Sequence, residues 1–151
     1  MSNDLTWLLL RNNNSFLVKR VPEGPVFSKE PGNLRNLHSA KYSGLVNNKT
    51  IDVSQLPNGA IQVKSRKAKT TPHTIAKAHH TTTIRPRSGG RRALGITSSF
   101  ARRGYRPDLR TAALSRVSAL QRAQREPKAP HARKTRGNKS KAAAAAAAAT
   151  A

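Results

Sequence analysis

The stretch K-T-I-D-V-S-Q-L-P-N-G-A-I-Q-V-K-S-R, Lys49 to Arg66, decides the fold class. Its last seven residues, Ala60 to Arg66, alternate: Ile61 and Val63 fall on one face, Gln62, Lys64 and Arg66 on the other. That is the period-two pattern of a strand with one buried and one solvated face. Lys49 to Val53 reads as the strand before it, and Pro57-Asn58-Gly59 supplies turn chemistry ahead of Ala60. Upstream, Lys41 to Val46 reads as a further strand, joined through Asn47-Asn48, a pair that tolerates the positive φ of a two-residue turn. The three predict an antiparallel meander.

Toward the N-terminus, Asn3 to Arg11 reads as a short helix. Ser2 or Asn3 can cap it, Asp4 suits its positive end and Arg11 its negative end, and Asn12-Asn13-Asn14 ends it. Ser15 to Val21 is rich in β-formers and predicts a strand, after which Pro22, Gly24, Pro25, Pro31 and Gly32 make the chain loop-like. Trp7 and Phe16 are the large side chains this region has to bury, so they are expected in its core.

Beyond Arg66 the composition turns to Lys, Thr, Pro and His, with no apolar periodicity until Leu94. Lys67 to Gly90 is therefore expected to be extended and ordered only by contact with a partner. Arg91 to Arg103 predicts a helix with Leu94 and Ile96 apolar and Gly104 ending it, weakened by Gly95 inside it. The best-patterned helix follows. Pro107 suits the first helical position, Asp108 the first turn, and Leu109, Ala113, Val117 and Leu120 form an apolar stripe until Pro127 stops the helix. Lys128 to Lys141 is a basic tail, and the eight alanines from Ala142 favour helix without an amphipathic face.

The expected fold is α+β: a small N-terminal helix-plus-antiparallel-sheet module, extended basic segments, and two C-terminal helices. The organisation this implies is a small α+β domain over 1–66, an extended basic linker over 67–90, a two-helix region over 91–126, and a basic, alanine-rich tail over 127–151.

Charge decides the function class. The 151 residues carry 29 Lys+Arg against six Asp+Glu, a formal net charge of +23. Seven basic and four acidic side chains lie in residues 1–63, a net +3, while the remaining 88 residues hold 22 basic and two acidic ones, a net +20. That second part repels itself until a polyanion neutralises it. Arg outnumbers Lys, 17 to 12, and the planar guanidinium suits bidentate phosphate contacts and stacking on splayed RNA bases. The candidate RNA-binding residues are Lys19, Arg20, Lys64, Arg66, Lys67, Lys69, Arg85, Arg87, Arg91, Arg92, Arg102, Arg103, Tyr105, Arg106, Arg110, Arg116, Arg122, Arg125, Lys134 and Arg136. Tyr105 can stack on a base or pack between the two helices. With six aromatics and no aromatic run on a strand, an RNA-recognition sheet is not expected.

Other chemistries lack their residues. No cysteine is present, which removes disulfides, thiol nucleophiles and Cys-based zinc sites. The scattered acids offer no acid/base pair beyond Glu23 with Glu30, so no catalysis is expected. Three of the five histidines fall between His73 and His80, but cationic surroundings without carboxylates disfavour a metal, and contact with phosphate or bases suits them better. No cofactor and no small-molecule substrate is expected. Leu5 to Leu10 is far short of the roughly 20 residues of a membrane span, and neither a basic lead-in nor a cleavage site makes it a signal peptide. A soluble, intracellular nucleic-acid binder is the resulting expectation.

Two sets of residues carry a family resemblance. Trp7, Arg11-Asn12, Ser15-Phe16-Leu17, Lys19-Arg20, Glu30-Pro31, Asn33-Leu34, Tyr42, Gly44-Leu45 and Lys49-Thr50 stand in the order and spacing of the eukaryote-specific ribosomal protein L28e family. Tyr105-Arg106-Pro107-Asp108-Leu109-Arg110, followed by Ala112-Ala113, Arg116 and Ser118-Ala119, resembles that family's C-terminal helix. The resemblance runs from about Ser2 to Arg125. It implies a ribonucleoprotein component of the large subunit, active in translation on cytoplasmic ribosomes and assembled in the nucleolus. Its partners would be ribosomal RNA of the large subunit and neighbouring ribosomal proteins, with no membrane and no enzymatic activity. The segment from Pro22 to Phe27, the His79-His80 region and the alanine run depart from the family pattern. Two alternatives stand beside this reading. One is a nucleolar assembly factor, which shares the N-terminal domain but is longer, with cysteines and an acidic extension. The other is a linker-histone-like DNA compactor, whose tails are dominated by Lys.

Overall fold

The computed structural model describes residues 2–71, 73–75, 77–102, 104–126, 129 and 136–149. Helix α1 spans Asn3–Leu10 and begins where the Ser2 hydroxyl accepts the Leu5 N–H at 3.3 Å. Strand β1 is only Leu17–Val18, and it pairs antiparallel with β2, Phe27–Ser28. Both differ from expectation. The Ser15 to Val21 strand shrinks to two residues, and its partner comes from the proline-rich loop, because prolines and glycines on both sides leave no room for a longer ladder.

A second correction concerns Lys41 to Val46, which forms turns rather than a strand. The Ser39 carbonyl accepts from the N–H groups of Tyr42 (3.1 Å) and Ser43 (2.9 Å). Asn47 makes no hairpin turn with Asn48; its side-chain amide donates to the carbonyls of Ala40 (2.7 Å) and Ser43 (2.8 Å). A buried carboxylate organises the same region. Glu30 accepts from the Asn33 amide at 2.9 Å and the Ser43 hydroxyl at 3.0 Å, tying the 30s loop to the 40s loop. Gly44 allows them to meet, since a Cβ there would stand 2.0 Å from the Pro31 carbonyl oxygen.

The main sheet holds β3 (Ile51–Gln55), β4 (Ile61–Arg66) and β5 (His79–Ile84) in the order β3-β4-β5, all antiparallel. The hairpin between β3 and β4 closes as its chemistry requires: the Asn58 side chain accepts the Ala60 N–H at 3.0 Å, and Gly59 takes φ +77°. Val53 stands opposite Val63, and Ile61 opposite Ile84. The meander is present, but β3 starts and ends two residues later than Lys49 to Val53, and the third strand lies after β4 instead of before β3. His79–Ile84 falls inside the segment expected to be extended without a core. Its inward positions, His80, Thr82 and Ile84, include one aliphatic residue, so it shows no hydrophobic alternation, while its β-branched threonines suit a pleated strand.

Helices α2 (Gly90–Arg102) and α3 (Arg110–Ala123, led by a 3-10 turn at Pro107–Leu109) cover one face of the sheet. Leu109 in the leading turn and Ala113 and Val117 on α3 are buried and Leu120 is partly covered, which is the stripe read from the sequence, and Ala112 is buried beside them. Helix α2 turns small residues inward at Ala93, Thr97 and Ala101, with Leu94 and Ile96 packed at the margin. Small side chains let the helix approach the sheet, and the Thr97 hydroxyl is satisfied by the Ala93 carbonyl at 2.9 Å. Helix α4, Asn138–Ala149, holds the alanine run.

One cluster of buried side chains therefore runs from Leu34 through Ile51, Val53, Ile61, Val63, Ile84 and Ala93 to Val117. Trp7 and Phe16 are not in it. Trp7 is half-buried with its ring 4.8 Å from that of His38, and Phe16 is 38% exposed. Aliphatic side chains from the sheet and α3 fill the core, and α1 buries none of its residues fully.

Candidate nucleic-acid interface

The Tyr105-Arg106-Pro107-Asp108 run fastens α3 to the sheet. Arg106 directs Nε (2.8 Å) and Nη2 (2.7 Å) to the two carboxylate oxygens of Asp108, and donates from Nη1 to the Lys49 carbonyl (2.9 Å) and from Nη2 to the Lys41 carbonyl (3.0 Å). The Tyr105 hydroxyl donates toward the carbonyls of Thr50 (3.3 Å) and Arg66. These bonds shape both titrations. The hydrogen bond from Arg106 is the main cause that holds the Asp108 carboxyl below the usual range, while burial pushes the Tyr105 phenol up. Tyr105, expected to stack on a base or pack between the two helices, instead turns its hydroxyl to the sheet, at the Thr50 and Arg66 carbonyls. Asp108, whose type and position suit a helix dipole, is also the bidentate partner of Arg106.

The remaining candidate cations fall into groups. Lys64 and Arg66 stand on the open face of β4, opposite the covered face that carries Ile61 and Val63, and Lys67 and Lys69 follow them exposed. Arg85, Arg87 and Arg92 line a 430 Å³ groove with Ser88, where the chain turns from β5 into α2. Arg91, Arg122 and Arg125 come together across a 380 Å³ cleft between α2 and α3, with Gln121 between them. Neighbouring positions in the fold thus combine arginines more than 30 residues apart in sequence. Arg110 is exposed on the first turn of α3, and Arg116 is half-buried, its Nε covered and without a hydrogen-bond partner among the described residues. Lys19 and Arg20 project after β1, and Arg136 precedes α4. Arg102 ends α2, whereas Arg103 and Lys134 lie outside the described residues.

Two polar residues absent from the candidate set stand on the same open face, Asp52 opposite Lys64 and His79, from the segment expected to be extended, opposite Arg66. The β-branched run Thr81 to Thr83 was the available signal, hidden because the inward His80 and Thr82 are as polar as the outward residues. Among the described residues, no His, Asp and Glu group is placed to hold a metal, and no helix is long and apolar enough to cross a membrane.

A family model described as the Ribosomal L28e protein family matches residues 5–123. The large ribosomal subunit protein eL28 of Dictyostelium discoideum is 39% identical over 125 residues, covering 82% of this chain and 89% of that protein. The protein of the same name from Schizosaccharomyces pombe is 34% identical over 125 residues, with 80% and 90% covered. That of Caenorhabditis elegans is 42% identical over 84 residues, with 56% and 64% covered. The matched residues take in the sheet, α2 and all of α3, so the chain belongs to the Ribosomal L28e protein family.

Proposed function

We propose that this chain is a structural constituent of the large ribosomal subunit that binds and braces folded ribosomal RNA and catalyses no reaction. The observation that carries the reading is the disposition of charge: a small aliphatic core with its cations turned outward, and one ion pair, Arg106 with Asp108, among the described residues. Phosphates are the partner such a surface fits. The names of the relatives in amoeba and yeast support the same assignment.

The groups around β4, the α2 entry and the α2–α3 cleft act as separate phosphate contacts, each releasing counterion as it engages. RNA that binds only the folded chain adds RT ln(1+[L]/Kd) to its stability, about 4 kcal/mol at a thousandfold excess over Kd. Neighbouring ribosomal proteins have a surface of their own. Leu5, Leu8 and Leu9, spaced i, i+3, i+4 along α1, are all exposed, Leu8 by 66%.

Sucrose-gradient fractionation tests this. The chain should travel with mature large subunits and with translating ribosomes in the cytoplasm, after joining them in the nucleolus. Presence in precursor particles alone would make it an assembly factor, and co-fractionation with chromatin would make it a DNA compactor.

A further inference from the structure

One cleft combines cations with a carboxylate, and a site for bare phosphate has no use for the carboxylate. It lies on the open face of the sheet, where the loops carrying Gly32 and Gly44 close over one end, and it encloses 310 Å³, near the lower limit for small-ligand sites. Its floor is two cross-strand pairs, Asp52 opposite Lys64 and Arg66 opposite His79. Directly opposed residues hold their Cβ atoms about 4.5–5.5 Å apart, and Lys64 and Arg66 follow one another on the same face of β4, so the two pairs adjoin in one patch. Among the described residues, none of these four side chains forms a hydrogen bond or an ion pair, although the nearby Arg106 and Tyr105 spend theirs internally. Their polar groups are available to a ligand.

The pattern selects among the bases. Guanine presents two adjacent donors, N1–H and N2–H₂, which match the two oxygens of a carboxylate, with the O6 acceptor beside them for an ammonium. Adenine and cytosine offer one donor next to a bare ring nitrogen, and uracil flanks its single donor with two carbonyls that a carboxylate repels. Resting on the RNA-binding reading above, we infer that this cleft holds one unpaired guanosine of an RNA strand. Asp52 accepts from N1–H and N2–H₂, Lys64 donates to O6, and Arg66 and the His79 ring hold the flanking phosphates. The charged bidentate pair supplies the discrimination, and the two outer groups supply affinity common to all sequences.

The test uses the full chain and fluorescently labelled oligouridine carrying one central guanosine, adenosine, inosine or uridine, with binding read by anisotropy at fixed salt. Guanosine should bind about tenfold more tightly than adenosine or uridine, and inosine, which lacks the N2 amino group, should lose most of that gain. Asp52→Asn should erase the preference while tightening binding to all-uridine RNA, because a negative charge has gone. Equal affinities in the unmodified chain, or a preference that persists in Asp52→Asn, would overturn the guanosine site and leave general RNA binding standing. Failure of every oligonucleotide to bind removes the RNA-binding reading and this inference with it. Free GMP competing at the oligonucleotide's own concentration would make the cleft a mononucleotide site and overturn the RNA assignment. Independently of the variant's folding, 6-thioguanosine at the central position should photocrosslink to Ile61–Arg66; crosslinks confined to other segments contradict the placement.

Discussion

Arg106 grips Asp108 in a two-pronged ion pair of 2.8 and 2.7 Å, and the same guanidinium reaches the carbonyls of Lys49 and Lys41, 57 and 65 residues away in sequence. Four of the five N–H donors of this side chain are thereby committed inside the protein. Arg106 holds together the start of α3, the edge of β3 and the 40s loop.

Arg106 and Arg110 should consequently separate in experiment, although the sequence suggested the same role for both. Arg106→Ala should lower stability by about 1.5–3 kcal/mol in urea unfolding, and Arg106→Lys should recover little, since an ammonium cannot reproduce the fork. Arg110→Ala should leave the unfolding midpoint within about 0.5 kcal/mol and reduce the log-log salt slope of RNA binding by about one unit. An Arg106→Ala protein of full stability would contradict the fastening role.

Asp108 sets an acid limit on that fastening. Its carboxyl titrates below the ordinary range because Arg106 donates to it, so the folded state favours the charged form. The pair's contribution is present above the unfolded carboxylate pKa, near 3.9, and is lost as pH falls through the depressed folded value. Asp108→Asn should destabilise at neutral pH by no more than about 1 kcal/mol, since the carboxylate is partly open to solvent, and the difference should vanish in stronger acid. A difference independent of pH would assign the loss to packing.

Tyr105 gives the opposite sign at the alkaline end. Burial raises its phenol, so the neutral form is favoured in the folded chain, and this contribution is complete below the unfolded pKa of about 10 and fades as pH rises through the folded value. Tyr105→Phe should cost about 1 kcal/mol at neutral pH through the lost contacts with the Thr50 and Arg66 carbonyls, and should flatten the alkaline decline measured by circular dichroism.

Two glycines should respond oppositely to alanine. Gly44→Ala places a Cβ 2.0 Å from the Pro31 oxygen, which forces the loops apart and should cost about 1–3 kcal/mol. At Gly95, on the exposed side of α2, a Cβ meets nothing within 4 Å, and alanine should stabilise by about 0.5–1 kcal/mol. Paired thermal melts decide both; equal shifts would mean that the loop contact does not hold the fold.

In the core, Ile51 is fully buried at the centre of the cluster. Ile51→Ala should cost about 2–5 kcal/mol and Ile51→Val about 0.5–1.5 kcal/mol, while Phe16→Ala, at an exposed position, should cost less than Ile51→Ala. A larger loss at Phe16 than at Ile51 would return the core to the N-terminal region.

What the sequence determined by itself was local and periodic. Alternation in Ile61–Arg66, the stripe from Leu109 to Val117 and the cap at Ser2 each follow from a repeat or a short contact, so the mixed α+β class and both C-terminal helices were legible. The family residues and the charge imbalance were equally readable, because they need no third dimension. Only the tertiary structure decided what depends on distant partners. Ladder bonds to β4 make a strand of His79–Ile84, a segment whose hydrophobic pattern is blank, and the Glu30–Ser43 contact bends Lys41 to Val46 out of any sheet. Counting charge along the chain placed the core before the cationic region. In the folded chain, Ile84, Ala93, Leu109 and Val117, all within the cationic part, are buried while Arg85, Arg92 and Arg110, next to the first three, stay outside, so a strongly basic segment contributes to the interior. That Arg106 is spent inside the protein is decided in the same way, by carbonyls 57 and 65 residues away that meet it only once the sheet has formed.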